Sequence, residues 1–192
     1  MKSISHSGQI RIWLLSTIIM VMLMILIGGV TRLTDSGLSM VEWRPLWGFL
    51  PPISQFEWNR VFELYMKSPE YIFKNKGMSL EEFKEIFFWE YFHRLWGRLI
   101  GIIFIIPLLF FIIVKKIPKS ILSKLFLILF LGGLQGFIGW WMVKSGLVND
   151  PNVSQYRLTI HLSNALLILS LLIWVYLDVK EGVSQIKPDF SF

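Results

Sequence analysis

The chain has 192 residues, of which 54% are hydrophobic and only 17% charged, with a formal charge of +6 and no cysteine. A charged fraction so far below the roughly one quarter of soluble domains excludes an ordinary soluble fold. The absent cysteine excludes disulfides, thiolate nucleophiles and Cys-ligated metals, leaving histidines and carboxylates for any metal chemistry.

Four apolar runs approach the roughly 20 residues needed to cross about 30 Å of hydrocarbon, over residues 12–30, 87–114, 121–143 and 158–177. They predict an all-α integral membrane protein, a four-transmembrane-helix bundle forming a single membrane domain over residues 1–192. The first run follows Lys2 and Arg11 but is too long for the apolar core of a secretory signal. It is followed by Gly28-Gly-Val-Thr-Arg32 rather than a small-x-small cleavage site, and so reads as a retained anchor.

The segment from 31 to 86 carries seven basic and eight acidic side chains and is too long for a simple turn, which predicts a partly helical outer loop. Ser54-Gln-Phe-Glu57 and Ser79-Leu-Glu-Glu82 both fit a capping box. The helix starting after Ser79 is expected to run unbroken into the second span. Ahead of the first helix, the one starting after Ser54, Trp43, Trp47 and Trp58 with Pro45, Pro51 and Pro52 suggest an irregular piece resting at the headgroup level.

The second span holds Glu90, His93, Arg94 and Arg98, with a kink expected at Pro107. The connection after it carries Lys115, Lys116, Lys119 and Lys124 and no acid, which places it in the cytoplasm together with both termini. The positive charge is thereby explained by topology, and with no basic stripe interleaved with exposed aromatics there is no sign of a nucleic-acid partner. The third span contains Gln135 among Gly132, Gly136 and Gly139; the fourth contains His161 and Asn164.

Ionisable groups inside a span are expensive and face the bundle interior. Spans two and four run parallel, so their histidines can be compared for depth: His93 lies roughly 32 Å from Val114 and His161 roughly 24 Å from Leu177, both in the outer third. Two imidazoles at similar depth in a four-helix bundle suit axial ligation of one haem iron, the bilayer being the surrounding solvent. Hydrogen bonding to headgroups or backbone is the competing reading. Arg94, Arg98 and Arg157 fall beside the histidines, as partners for haem propionates or as snorkelling cations. Gly97, Gly101, Gly132, Gly136 and Gly139 admit either a close helix or a flat macrocycle. Glu90, one turn outside His93, suits proton transfer or stabilisation of a developing cation; a salt bridge to Arg94 is equally open.

The strings Gly28-Gly-Val-Thr-Arg-Leu-Thr-Asp-Ser-Gly-Leu-Ser-Met-Val-Glu-Trp-Arg-Pro45, Leu50-Pro-Pro52, Glu90-Tyr-Phe-His-Arg94, Gly132-Gly-Leu-Gln-Gly-Phe-Ile-Gly-Trp-Trp-Met-Val-Lys-Ser-Gly-Leu147 and Tyr156-Arg-Leu-Thr-Ile-His161 together resemble haem A synthase of the mitochondrial-type branch, which lacks a cysteine pair in the outer loop. The resemblance implies oxidation of one methyl of haem O to a formyl group, through hydroxylations and loss of water, to supply haem A for cytochrome c oxidase. It implies that His93 and His161 flank the substrate haem and that Glu90 is catalytic. It also implies a bacterial inner-membrane location, a haem O synthase as neighbour and an electron donor such as a ferredoxin. Such enzymes have eight spans, and the resemblance is to the N-terminal half. A haem b is expected in the other half, supplied by a C-terminal-half partner or by a second copy of this chain. A b-type electron carrier and an inactive half-length fragment are the alternatives to the enzyme.

Overall fold

The computed structural model describes residues 6–43, 48–148 and 151–181 and is helical, in the order α1 (His6–Leu33), α2 (Gln55–Tyr65), α3 (Pro69–Phe73), α4 (Leu80–Ile113), α5 (Lys119–Gly146) and α6 (Gln155–Lys180). Helices α1, α4, α5 and α6 are long and apolar enough to cross a membrane. They extend the expected spans by several residues at most ends, because hydrogen bonding continues into the polar flanks where hydropathy has already fallen. The expected residues Lys2, Pro45 and Trp47 lie outside the described residues.

In the bundle α1 packs on both α4 and α6, and α5 packs on α6, whereas α4 and α5 meet only marginally. One end, called here the lysine end, carries the α4–α5 turn, the start of α1 and the end of α6. The other, the loop end, carries residues 34–79. At the lysine end all four helices contribute to one apolar core that includes Leu14, Leu108, Leu125, Leu172 and Val175. Pro107 sits inside α4 without interrupting it. Proline removes the hydrogen bond to the carbonyl four residues earlier; that carbonyl, on Ile103, accepts instead from the indole N–H of Trp13 on α1, at 3.0 Å. The carbonyl that Pro107 leaves without its helical donor is thus satisfied by a helix–helix hydrogen bond. Helix α4 then closes on Lys115 in the left-handed region (φ 53°), with the Lys116 N–H bonded to the Phe111 carbonyl at 2.9 Å. This is the Schellman geometry, with lysine where glycine is usual.

At the loop end α4 begins seven residues before the expected span, behind a complete capping box between Ser79 and Glu82. The second predicted box is only half made: the Ser54 hydroxyl accepts from the Glu57 N–H at 3.2 Å, while the Glu57 carboxylate turns to Arg60. Ser68 caps an unanticipated helix, α3, with Pro69 at its first position, a pairing that the sequence does display. The first turns of α4 pack against α2 and α3 around Tyr65, Phe83 and Phe87. Trp58, partly buried, packs against this second core with its ring 5.1 Å from that of Phe87, and it lies within α2 rather than in an irregular piece. Trp43 is 45% exposed.

Glu70 is buried in this outer layer, its carboxyl accepting from the Tyr65 hydroxyl at 3.1 Å while Asn75 donates to the same hydroxyl at 2.7 Å. Loss of water pushes the Glu70 carboxyl up to about 7, against the Tyr65 hydrogen bond, which lowers it.

Candidate functional site

The site emerges from following the inward stripe of each helix in steps of three and four residues. On α4, the buried Phe111, Leu108 and Phe104 continue toward the loop end as Gly101, Gly97, His93 and Glu90. On α5, Ile121, Leu125 and Ile128 continue as Gly132, Gly136 and Gly139. On α6, Val175, Leu172 and Ile168 continue as Asn164, His161 and Arg157, and on α1, Leu14 and Val21 continue as Met24 and Gly28. The register that fills the lysine end with large apolar side chains thus places glycine, histidine and hydrogen-bonding groups at the loop end. A Cβ added to Gly101, Gly132 or Gly136 would find nothing within 4 Å. Gly132 and Gly136 are themselves exposed, so at the loop end these stripes open onto space that the protein does not fill.

Both histidines lie over glycines. A Cβ at Gly28 would come within 3.1 Å of the His93 ring, and one at Gly139 within 3.0 Å of the His161 ring. The His93 and His161 Nδ1 atoms are buried without a hydrogen-bond partner. Buried polar atoms are normally paired. His161 is further joined to α5, where the Gln135 side-chain nitrogen lies 3.3 Å from its Nε2 and 3.1 Å from its carbonyl oxygen. Asn164 then donates to the Gln135 side-chain oxygen at 2.7 Å and to the Leu131 carbonyl at 3.1 Å. The sequence offers Gln135 and Asn164 as polar residues in spans; their partnership with His161 spans 26 or more positions and no local pattern announces it.

Glu90 is 3% exposed. Its two oxygens accept from the Ser39 hydroxyl at 2.8 Å, the Met40 backbone N–H at 2.5 Å and the Arg94 guanidinium. The salt bridge to Arg94 left open by the sequence is made, beside the hydrogen bonds from Ser39 and Met40. Arg94 also donates to the Met40 carbonyl at 3.0 Å and the Glu42 carbonyl at 3.2 Å, and lies 5.3 Å from the Trp43 ring. Arg60 of α2 grips the Glu42 carboxylate at 2.9 and 3.1 Å. Residues 39–42 are therefore fastened over the Glu90 turn of α4, and Ser39 and Met40, about 50 positions away in sequence, are members of the site that the sequence does not single out.

The other arginines are held separately. Arg98 stacks 5.5 Å from the Phe49 ring, whose carbonyl accepts from Tyr91 at 2.7 Å. Arg157 donates to the Trp141 carbonyl at 2.7 Å and lies 4.3 Å from the Trp141 ring, beside a shallow pocket also lined by Lys144, Ser145 and Val148. Arg94 and Arg157 thus brace loop and helix backbone. Among the described residues no group of three or more His, Asp or Glu side chains converges on a point; two histidines are the protein's full share of ligands to an iron whose other four come from a porphyrin. With a histidine on each of α4 and α6 and glycine-lined open space on the same stripes, the residues fit a haem.

Fold and site together define, among the described residues, a helical bundle with four helices able to cross a membrane and a histidine on each of two of them toward one end. A family model described as cytochrome oxidase assembly protein (COX15-CtaA) matches residues 11–190, and the chain belongs to that family. It is 56% identical over 170 residues to a haem A synthase of Nitrosospira multiformis, covering 88% of this chain and 48% of that protein. It is 46% identical over 183 residues to one of Parvibaculum lavamentivorans (95% and 53%) and 49% identical over 180 residues to one of Agrobacterium fabrum (94% and 48%). The chain spans about half the length of these curated relatives. No solved structure matches it.

Proposed function

We propose that the chain holds haem O at the loop end of the bundle, with His93 and His161 as axial ligands, and takes part in oxidising one of its methyl groups to the formyl group of haem A. The observation that carries this reading is the change along the inward stripes from large apolar residues to Gly101, Gly132, Gly136 and the two histidines. The family match and the name haem A synthase on relatives sharing 46–56% identity support it.

The bound haem supplies the redox-active iron and the carbon to be oxidised. The protein supplies placement and charge. His93 and His161 fix the iron between α4 and α6; the glycines let the ring plane approach the backbone; residues 39–42, fastened by Arg94 and Arg60, cover the cleft and restrict water. Glu90, which accepts from three donors, is the group suited to stabilising positive charge developing on the substrate. The guanidinium of Arg98, stacked on Phe49, is the group we assign to a propionate, with Arg157 at the opposite helix. A ferredoxin-type protein is the electron-transfer partner, and haem O comes from a haem O synthase in the same bacterial inner membrane. The lysines at 115, 116, 119 and 124 support a topology with the turn and both termini on the cytoplasmic side.

The full commitment of Glu90 to residues 39–40 and Arg94 favours one second reading, a b-type electron carrier in which this carboxylate is structural. Expression in cells that make haem O but no haem A, followed by extraction of the haems, separates the two. Haem A in the extract, absent with His93→Ala, is expected; haem bound to the protein with no haem A formed would establish the carrier.

A further inference from the structure

Hydrogen-bond donors and acceptors around His161 can be assigned one after another from a group whose role is fixed. The Leu131 carbonyl only accepts, so the Asn164 group 3.1 Å from it is the NH2, and the Asn164 oxygen is turned away. The same NH2 donates at 2.7 Å to Gln135, which must therefore present its oxygen there and its own NH2 toward α6. One hydrogen of that NH2 goes to the His161 carbonyl at 3.1 Å, and the other faces the His161 Nε2 at 3.3 Å. A nitrogen facing an N–H must offer a lone pair, and in a neutral imidazole the proton then sits on the other nitrogen.

We infer that Gln135 and Asn164 are positioning residues that hold His161 in a single neutral tautomer, hydrogen on Nδ1 and lone pair on Nε2. The device is anchored on backbone, because the Leu131 carbonyl sets Asn164, Asn164 sets Gln135 and Gln135 sets the imidazole. Its last bond, at 3.3 Å, is longer than the usual 2.7–3.2 Å range, so the lone pair is held but readily exchanged. Gln135 occupies the nitrogen that a metal would take. The consequence for iron rests on the haem reading above; the tautomer rests on hydrogen bonds alone. Partners that fix the tautomer and orientation of a ligating histidine typically change metal affinity by 10–100-fold when removed.

The test is nitrogen NMR of the haem-depleted full chain, labelled with 15N-histidine in detergent micelles, with the His161 signals assigned by their loss in His161→Gln. The wild type is expected to show His161 as one tautomer with Nδ1 protonated, and Asn164→Leu and Gln135→Leu are expected to show a mixture or the opposite form. An Nε2-protonated His161 in the wild type, which needs no variant to fold, would overturn the inference, as would an unchanged tautomer in both variants. Titration of the same samples with haemin forms the second arm: Asn164→Leu is expected to bind about tenfold more weakly than wild type. Haemin binding whose spectrum ignores His161→Gln would remove the haem reading, and the nitrogen signals would still decide the tautomer.

Discussion

At the lysine end the inward stripes meet through Leu14, Leu108, Leu125 and Leu172, each no more than 1% exposed; at the loop end the same stripes, about three to four turns on, carry Gly28, Gly97, Gly136 and His161. The helices and their register are the same at both ends, and only the side-chain volume differs. In lipid the hydrophobic effect gives little reason for helices to associate, so close packing at the lysine end holds the bundle together. That leaves the loop end free to remain unfilled, with its own stability supplied from outside the bundle by the aromatic layer of α2, α3 and the first turns of α4. One end is a closed core and the other a roofed cleft.

Substitutions distinguish the two ends. The largest effect is expected from Glu90→Ala, which strands Arg94 and unfastens residues 39–42. Removing one partner of a buried ion pair costs about 3–5 kcal/mol, read as loss of resistance of residues 34–79 to protease while the four spans stay assembled. Leu125→Ala is expected to act oppositely in place, weakening the bundle by about 2 kcal/mol in a denaturation series in mixed detergent micelles, the cavity contribution being the main one where lipid replaces water.

The third effect depends on pH. The Glu70 carboxyl is raised in the folded state to about 7 from an ordinary 4.5, so the folded chain binds the proton more tightly than the unfolded one. Its stabilising share is complete below about 4.5, falls as pH rises toward 7 and is flat above. The outer layer should therefore lose up to about 2 kcal/mol between pH 5 and pH 8, and Glu70→Gln should remove that slope. Smallest of all, Gly136→Ala should change stability by less than about 0.5 kcal/mol or raise it slightly, since its Cβ enters open space in a helix and alanine is the better helix former. An equal change at a packed glycine such as Gly146, where the Cβ would come within 2.7 Å of Leu38, should destabilise.

What the sequence makes legible follows the range of the interaction. Spans are set by length and apolarity, and the Ser79–Glu82 box by a three-residue pattern, so these are visible in the string. Histidines and glycines at four-residue spacing show their shared face for the same reason. The partners of Glu90 are not visible, because Ser39 and Met40 are brought to it by a fold of the chain about 50 residues long. Pro107 alone suggests a kink, and only its juxtaposition with Trp13 shows the freed carbonyl finding a donor. Likewise Arg94, which spacing sets beside a haem edge, is drawn off by the carbonyls of residues 40 and 42.

The central claim is that the open stripe at the loop end holds a haem between His93 and His161, and absorption and electron paramagnetic resonance spectra of the purified full chain with haem test it most directly. A low-spin, six-coordinate iron is predicted, lost in both His93→Ala and His161→Ala, with Gly136→Leu keeping its helical content yet binding no haem. A haem spectrum unchanged across the three variants would contradict the account.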